Sequence, residues 1–179
     1  PPRLAEFIAW LRSNDAMGIN VTVPHKEAVI AHLDETDDWA KQAGAVNTLV
    51  NREGRFTGHN TDGIGFIRAL EERAGFSAEA KKVLIVGAGG SAKGVALALA
   101  RGGASAITFA NRTLERAQQL ARLIAEQGST VKAIPLLGDE EGLAQAVATS
   151  DLLINCTTIG MKHGPDEAGS PITAGLIPK

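Results

Sequence analysis

The chain has 179 residues, enough for one large or two small domains with a proper core. Its 44% hydrophobic and 21% charged residues fit an ordinary globular protein, and a net charge of −2 argues against nucleic acid or a membrane surface as partner. No run approaches the roughly 18 apolar residues of a membrane span. The single cysteine, Cys156, excludes an internal disulfide framework and fits a reducing cytoplasm.

Leu4, Phe7, Ile8 and Leu11 recur at helical spacing. The β-branched run GINVTV (residues 18–23), stopped by Pro24, predicts a strand. Helical stretches are expected at 27–33 and 37–43, closed by Gly44, and a second strand at 45–50. Residues 51–54 read as a turn and 55–57 as its hairpin partner. Ile64, Phe66, Ile67 and Leu70 predict a helix running to about Ala74, ended by Gly75. A different rhythm begins at Lys82. The apolar run 83–87 predicts a strand buried on both faces, followed by a glycine-rich turn and a helix over 92–101. Strands at 106–110, 131–134 and 152–155 alternate with helices at 114–125 and 141–149. That alternation means βαβ units and a parallel sheet.

The expected fold is α/β: a Rossmann-like parallel-sheet domain (77–179) joined by a connecting helix (63–76) to an α/β substrate domain (1–62). A βα fold rarely opens on a helix when the next strand must lie inside a sheet, and no initiator methionine is present. Both domains are therefore expected to be incomplete here, with an N-terminal strand and material beyond Lys179 outside this sequence.

GAGGSAKG (Gly87–Gly94) follows a predicted strand and opens a helix. Gly87 allows the tight turn, Gly89 lets backbone approach a pyrophosphate, and Ala92 is the third small position where helix and strand pack. Ala88, Gly90 and Ser91 complete the loop, and the helix N-terminus offers free N–H groups and positive dipole to phosphate. The plain alternative is a bare structural turn. An NAD site usually places an acidic residue after the second strand; here the sequence reads Asn111-Arg112-Thr113. With no carboxylate to repel a 2′-phosphate, Arg112 and Arg116, one helical turn apart, form a phosphate clamp with Thr113 as candidate N-cap. NADP is thus expected over NAD. The alternative is two solvated surface arginines. After the last strand, Thr157, Thr158, Gly160 and Met161 stand where open α/β sheets bind ligands, as candidates for the cofactor's ribose or nicotinamide. Cys156 reads as a small buried residue rather than a nucleophile.

Polar residues interrupt the apolar segments of the first half. Asn20 and Thr22 lie two apart and would share one face of the expected strand. Lys26 follows Pro24, Asn47 and Thr48 break an apolar run, and Asp62 closes GHNTDG before a helix. Singly, each has a bland reading: a surface lysine, a backbone-satisfying asparagine, an N-cap aspartate. Together NVTVPHK, AGAVNT and NTDG, followed by GAGGSAKG and NRTLERA, resemble the shikimate dehydrogenase family in order and spacing, from about Leu4 to Met161.

The resemblance implies an NADP-dependent reduction of 3-dehydroshikimate to shikimate, with Lys26 and Asp62 as the catalytic pair. It also implies substrate contacts at Asn47, Thr22 and Asn20, and a cofactor approach by Asp38, whose neighbours match poorly. Developing alkoxide at a ring ketone needs a proton and positive charge, which a lysine supplies. Which of Lys26 and Asp62 is the formal acid–base stays open. The family's N-terminal Ser-x-Ser and its C-terminal tyrosine and glutamine have no counterpart, and the chain contains no tyrosine. The exact 179-residue chain is therefore expected to be weakly active or inactive alone. A small-molecule substrate, no metal, and a monomer or homodimer complete the reading. Its rivals are a quinate/shikimate dehydrogenase, a non-catalytic sensor on the same scaffold, and a folate or other Rossmann dehydrogenase.

Overall fold

The computed structural model describes residues 3–177; Pro1, Pro2, Pro178 and Lys179 lie outside the described residues. Two four-stranded sheets carry the fold. Helix α1 (Leu4–Ser13) leads into β1 (Gly18–Asn20), which pairs antiparallel with β3 (Thr48–Arg52). A 3-10 helix over Ala28–His32 and the two-residue strand β2 (Glu35–Thr36) follow, then α2 (Asp38–Ala43). Strand β4 (Arg55–His59) forms a hairpin with β3 and pairs parallel with β2, giving the order β1-β3-β4-β2. Ile8, Leu11, Val29, Val46, Leu49 and Phe56 form the core beneath this sheet.

Helix α3 (Asp62–Ala74) ends on Gly75 in a left-handed cap and leads to the second sheet. There β5 (Lys82–Val86), α4 (Gly90–Arg101), β6 (Ala106–Asn111), α5 (Leu114–Ala125), β7 (Thr130–Pro135), α6 (Glu140–Thr149) and β8 (Leu152–Asn155) alternate. All its strand pairs are parallel, in the order β7-β6-β5-β8. The continuous apolar run of β5 serves two cores. Val83 and Ile85 pack with α4 and α5 on one face, while Leu84 and Val86 pack with Leu143 and Val147 of α6 on the other. The fold is α/β with a Rossmann-like parallel sheet, as the alternation of periods predicts.

Differences are concentrated in the first half. GINVTV does not form one strand: β1 stops at Asn20, because its partner β3 begins at Thr48, directly opposite. Thr22 therefore lies beyond the strand, although the alternation continues through buried Val21 and both Asn20 and Thr22 line one cavity. The expected strand at 45–50 starts three residues later, since its first residues bond elsewhere. The Val46 N–H donates to the Lys26 carbonyl at 2.8 Å, and the Asn47 N–H to the His59 carbonyl at 2.9 Å. The helix expected over 27–33 is only the 3-10 segment, and β2 is too short to leave a periodic trace.

Candidate active site

Three loops meet at the C-terminal edge of the parallel sheet. Strand β5 is central, and the chain runs from it to β6 and β7 on one side and returns to β8 on the other. Such a reversal of strand order opens a crevice where α/β sheets bind ligands. A cleft of about 500 Å³ lies there, lined by Gly87, Ala88, Gly89, Asn111, Arg112, Arg116, Thr157 and Thr158 among others. No carboxylate lines it among the described residues, and neither Arg112 nor Arg116 forms an ion pair among them. The cleft is built for an anion.

The glycine loop fits a dinucleotide phosphate on its own geometry. Gly87 has φ +109°, and a Cβ there would meet the Cys156 carbonyl at 3.0 Å, so both its conformation and the crossing to β8 demand glycine. A Cβ on Gly89 would meet nothing within 4 Å, so the backbone there faces open space. Ala92, fully buried, lets α4 pack against the sheet. Beyond β6, Asn111 Nδ2 donates to the Thr113 carbonyl at 2.8 Å and folds the loop that presents Arg112. Thr113 is the N-cap residue of α5, but its side chain makes no cap hydrogen bond. Beyond β8, Asn155 Oδ1 accepts from the Thr157 N–H at 2.9 Å and its hydroxyl at 2.7 Å, shaping that wall. Gly160 and Met161 lie in the following turn and do not line the cleft, although Ile159 does.

The polar residues of the first half converge at the other end of the glycine loop. Lys26 Nζ donates to Asp62 Oδ2 at 2.6 Å and to Ser91 Oγ at 3.3 Å. Asn47 Nδ2 donates to Asp62 Oδ1 at 2.7 Å, so both carboxylate oxygens are engaged. The Lys26 side chain is 13% exposed and that of Asp62 24%, enough to exclude most water yet leave an approach. This carboxylate is the first residue of α3, with Thr61 at the N-cap position, so the cap alternative for Asp62 does not hold.

Asn60, unremarked in the sequence, anchors this arrangement. It is the buried polar residue of the described chain at 2% exposure, donating to the Ala45 carbonyl at 3.0 Å and accepting from the Asp62 N–H at 3.1 Å. An Asn two residues before an Asp at a helix start is an Asx-turn signal that could have found it. Gly63 lets α3 cross against the Gly94 backbone of α4, bringing Asp62 beside Ser91. Helix α2 packs on α4 as well, and Arg101 stacks over the Trp39 ring at 4.5 Å.

Not every candidate joins the group. Asn20 and Thr22 line a separate cavity of about 330 Å³ with Leu4, Phe7 and His25, and bond neither Lys26 nor Asp62. Asp38 is 92% exposed, pairs with Lys41 at 3.4 Å, and does not line the cleft at the glycine loop. Its neighbour Asp37 is engaged instead, capping α2 at the Ala40 N–H and meeting His59 Nδ1 at 2.7 Å. The Cys156 thiol is pushed up to about 11, first by burial and then by the Asp62 charge, which suits a packing residue beside the site.

Comparison with known proteins agrees with this geometry. A family model described as the shikimate dehydrogenase substrate binding domain matches residues 1–49, and one described as shikimate / quinate 5-dehydrogenase matches residues 69–161. The chain is 44% identical over 180 residues to the shikimate dehydrogenase (NADP(+)) of Symbiobacterium thermophilum, covering 99% of this chain and 60% of that protein. It resembles the crystal structure of shikimate 5-dehydrogenase from Listeria monocytogenes in complex with shikimate and NAD. There the TM-score is 0.84 at 32% identity, covering 99% of this chain and 62% of that one. The Thermus thermophilus enzyme in complex with NADP(H) and shikimate gives a TM-score of 0.80 at 36% identity, over 98% and 59% of the two chains. The chain thus spans about 60% of the length of the relatives it matches.

Proposed function

This chain belongs to the shikimate / quinate 5-dehydrogenase family, and from that premise we propose that the intact protein reduces 3-dehydroshikimate to shikimate with NADPH. The observation that carries the reading is the 2.6 Å pair of Lys26 and Asp62, set within reach of the cofactor loop by Ser91. Residues 1–62 serve the substrate, 63–76 connect, and 77–179 serve the cofactor. Bound NADPH would supply the hydride to the ring ketone.

The chain's own residues do the rest. Gly87–Ser91 receive the pyrophosphate at the α4 N-terminus, where unpaired amides and the helix dipole favour negative charge. Asn111, Arg112, Thr113 and Arg116 hold the 2′-phosphate, and Thr157 and Thr158 border the ribose-nicotinamide end. Lys26 offers the remaining ammonium proton to the oxygen that becomes alkoxide, so the ketone gains hydride at carbon and a proton at oxygen. Asp62 orients that ammonium, and Asn47 holds Asp62 from the other side. Asn20 and Thr22, in their neighbouring cavity, contact the ring substituents of the substrate. Asp38 takes no part in this scheme.

A sensor lacking catalysis would have no need of a half-buried lysine–carboxylate pair beside a cofactor cleft. Following the absorbance of the reduced cofactor with shikimate and quinate, each against NADP and NAD, tests the proposal. Turnover is expected to be best with shikimate and NADP. Equal rates with quinate or with NAD would replace it with the relaxed quinate/shikimate reading, and no turnover with any pair would discard it.

A further inference from the structure

Ser91 belongs to the glycine-rich turn that faces the cofactor, yet its hydroxyl meets the lysine of the other half. Its Oγ accepts from Lys26 Nζ at 3.3 Å and makes no other hydrogen bond among the described residues. The approach is close all along this seam. A Cβ on Gly90 would meet the Ala45 Cβ at 3.2 Å and the Lys26 Cβ at 3.8 Å. One turn further, Lys93 Nζ donates to Glu27 Oε1 at 3.4 Å. Residues 26 and 27 are therefore tied twice to the first turn of α4, once at the reactive amine and once beside it.

The tie matters because of the shape of an ammonium group. It carries three N–H donors in fixed tetrahedral directions. Held by Asp62 alone, Lys26 Nζ could swing its other two protons about that one bond. A second acceptor at Ser91 removes the swing and fixes where the third proton points. Lys93 and Glu27 hold the main chain beneath it. The amides of the same α4 turn are those an anionic phosphate would engage, so one element would both cradle cofactor and aim the proton.

We propose that Ser91 is a positioning residue that orients the Lys26 ammonium and couples it to the cofactor-binding turn. The inference rests on the dehydrogenase reading for its kinetic consequence, though not for the contact itself. Ser91→Ala and Ser91→Thr in the intact protein test it with three readouts. These are kcat, the Kd of NADPH by fluorescence to set saturation, and the rate at which acetic anhydride acylates Lys26 in cofactor-free protein, followed by mass spectrometry. An acceptor that holds the amine in place keeps its nitrogen from the anhydride and slows acylation.

Ser91→Ala, which keeps the backbone amide offered to the pyrophosphate, is expected to lower kcat at saturating NADPH about tenfold and to speed Lys26 acylation relative to the other lysines. Ser91→Thr, which keeps the hydroxyl, is expected to restore both rates. Unchanged acylation in Ser91→Ala overturns the proposal, as does a rate loss that saturating NADPH restores or a Ser91→Thr variant no better than alanine. If the wild-type protein fails to turn over 3-dehydroshikimate, the dehydrogenase reading falls, and the acylation rates alone decide whether Ser91 holds Lys26.

Discussion

Replacing Gly63 by alanine asks whether the crossing of α3 over α4 sets the reactive distance. The added methyl would stand under 3.0 Å from the Gly94 carbonyl oxygen and at 3.0 Å from the Ala98 methyl, where ordinary contact begins at 3.4 Å. Neither neighbour is the tip of a flexible side chain, so α3 must draw back from α4 by about 1 Å, an overpacking that costs about 1–3 kcal/mol. Better helix propensity in α3 offsets up to about 1 kcal/mol of this. With the full offset the net loss is about 0–2 kcal/mol, which lowers Tm by up to roughly 8 °C in a chain of this size. The chemistry suffers more, because the adjacent Asp62 moves with the helix and its 2.6 Å bond to Lys26 opens. A misplacement of about 1 Å costs about 100-fold in kcat. Thermal melts and steady-state kinetics of the intact protein read both effects. Gly65→Ala is the control: it lies in the same helix with nothing within 4 Å of its would-be Cβ, and should keep kcat. Wild-type kcat and Tm in Gly63→Ala would refute the reasoning.

Lys26→Ala should lower kcat about 10²–10⁴-fold while NADPH affinity holds; an unchanged kcat would remove Lys26 from the chemistry. Arg112→Ala should weaken NADP about 10–100-fold and NAD hardly at all, as expected for lost bonds to a charged phosphate, and equal losses would show that Arg112 does not read the 2′-phosphate. Asp34 is held below its ordinary value of 3.8, first by the Phe56 N–H at 2.7 Å and then by Arg12 at 2.7 Å. A carboxyl lowered by folding contributes stability above its unfolded value and loses it as pH falls through the folded one. The Tm gap between wild type and Asp34→Asn should therefore be present at pH 7 and close below about pH 4; a gap that ignores pH would count against this. A thiol raised from 9.0 to about 11 carries a thiolate fraction lower by about 100-fold at neutral pH. Cys156 should accordingly react with a disulfide reagent far more slowly in the folded than the unfolded protein, and equal rates would contradict its burial.

The second half of the chain was legible because its signals are local. A run buried on both faces, a glycine turn and a helix start follow one another within a dozen residues, and the arginines of NRTLERA lie one helical turn apart. The first half was less so. Ala45–Asn47 look like strand residues, yet their amides go to the carbonyls of Ala40, Lys26 and His59, and the Ala45 and Asn47 carbonyls accept from Asn60 and Val21, which no periodicity can foresee. The same limit applies to the site. Lys26, Asn47 and Asp62 could be named from sequence, each with a bland alternative, because residue type and order are sequence properties. That one carboxylate accepts from both Lys26 and Asn47 depends on Gly63 meeting Gly94, on buried Asn60, and on α4 carrying Ser91 across the seam. Sequence by itself determined which groups are available and which fold class receives them. Only the tertiary structure decided which of them touch, because distances across two sheets are set by packing and not by spacing along the chain.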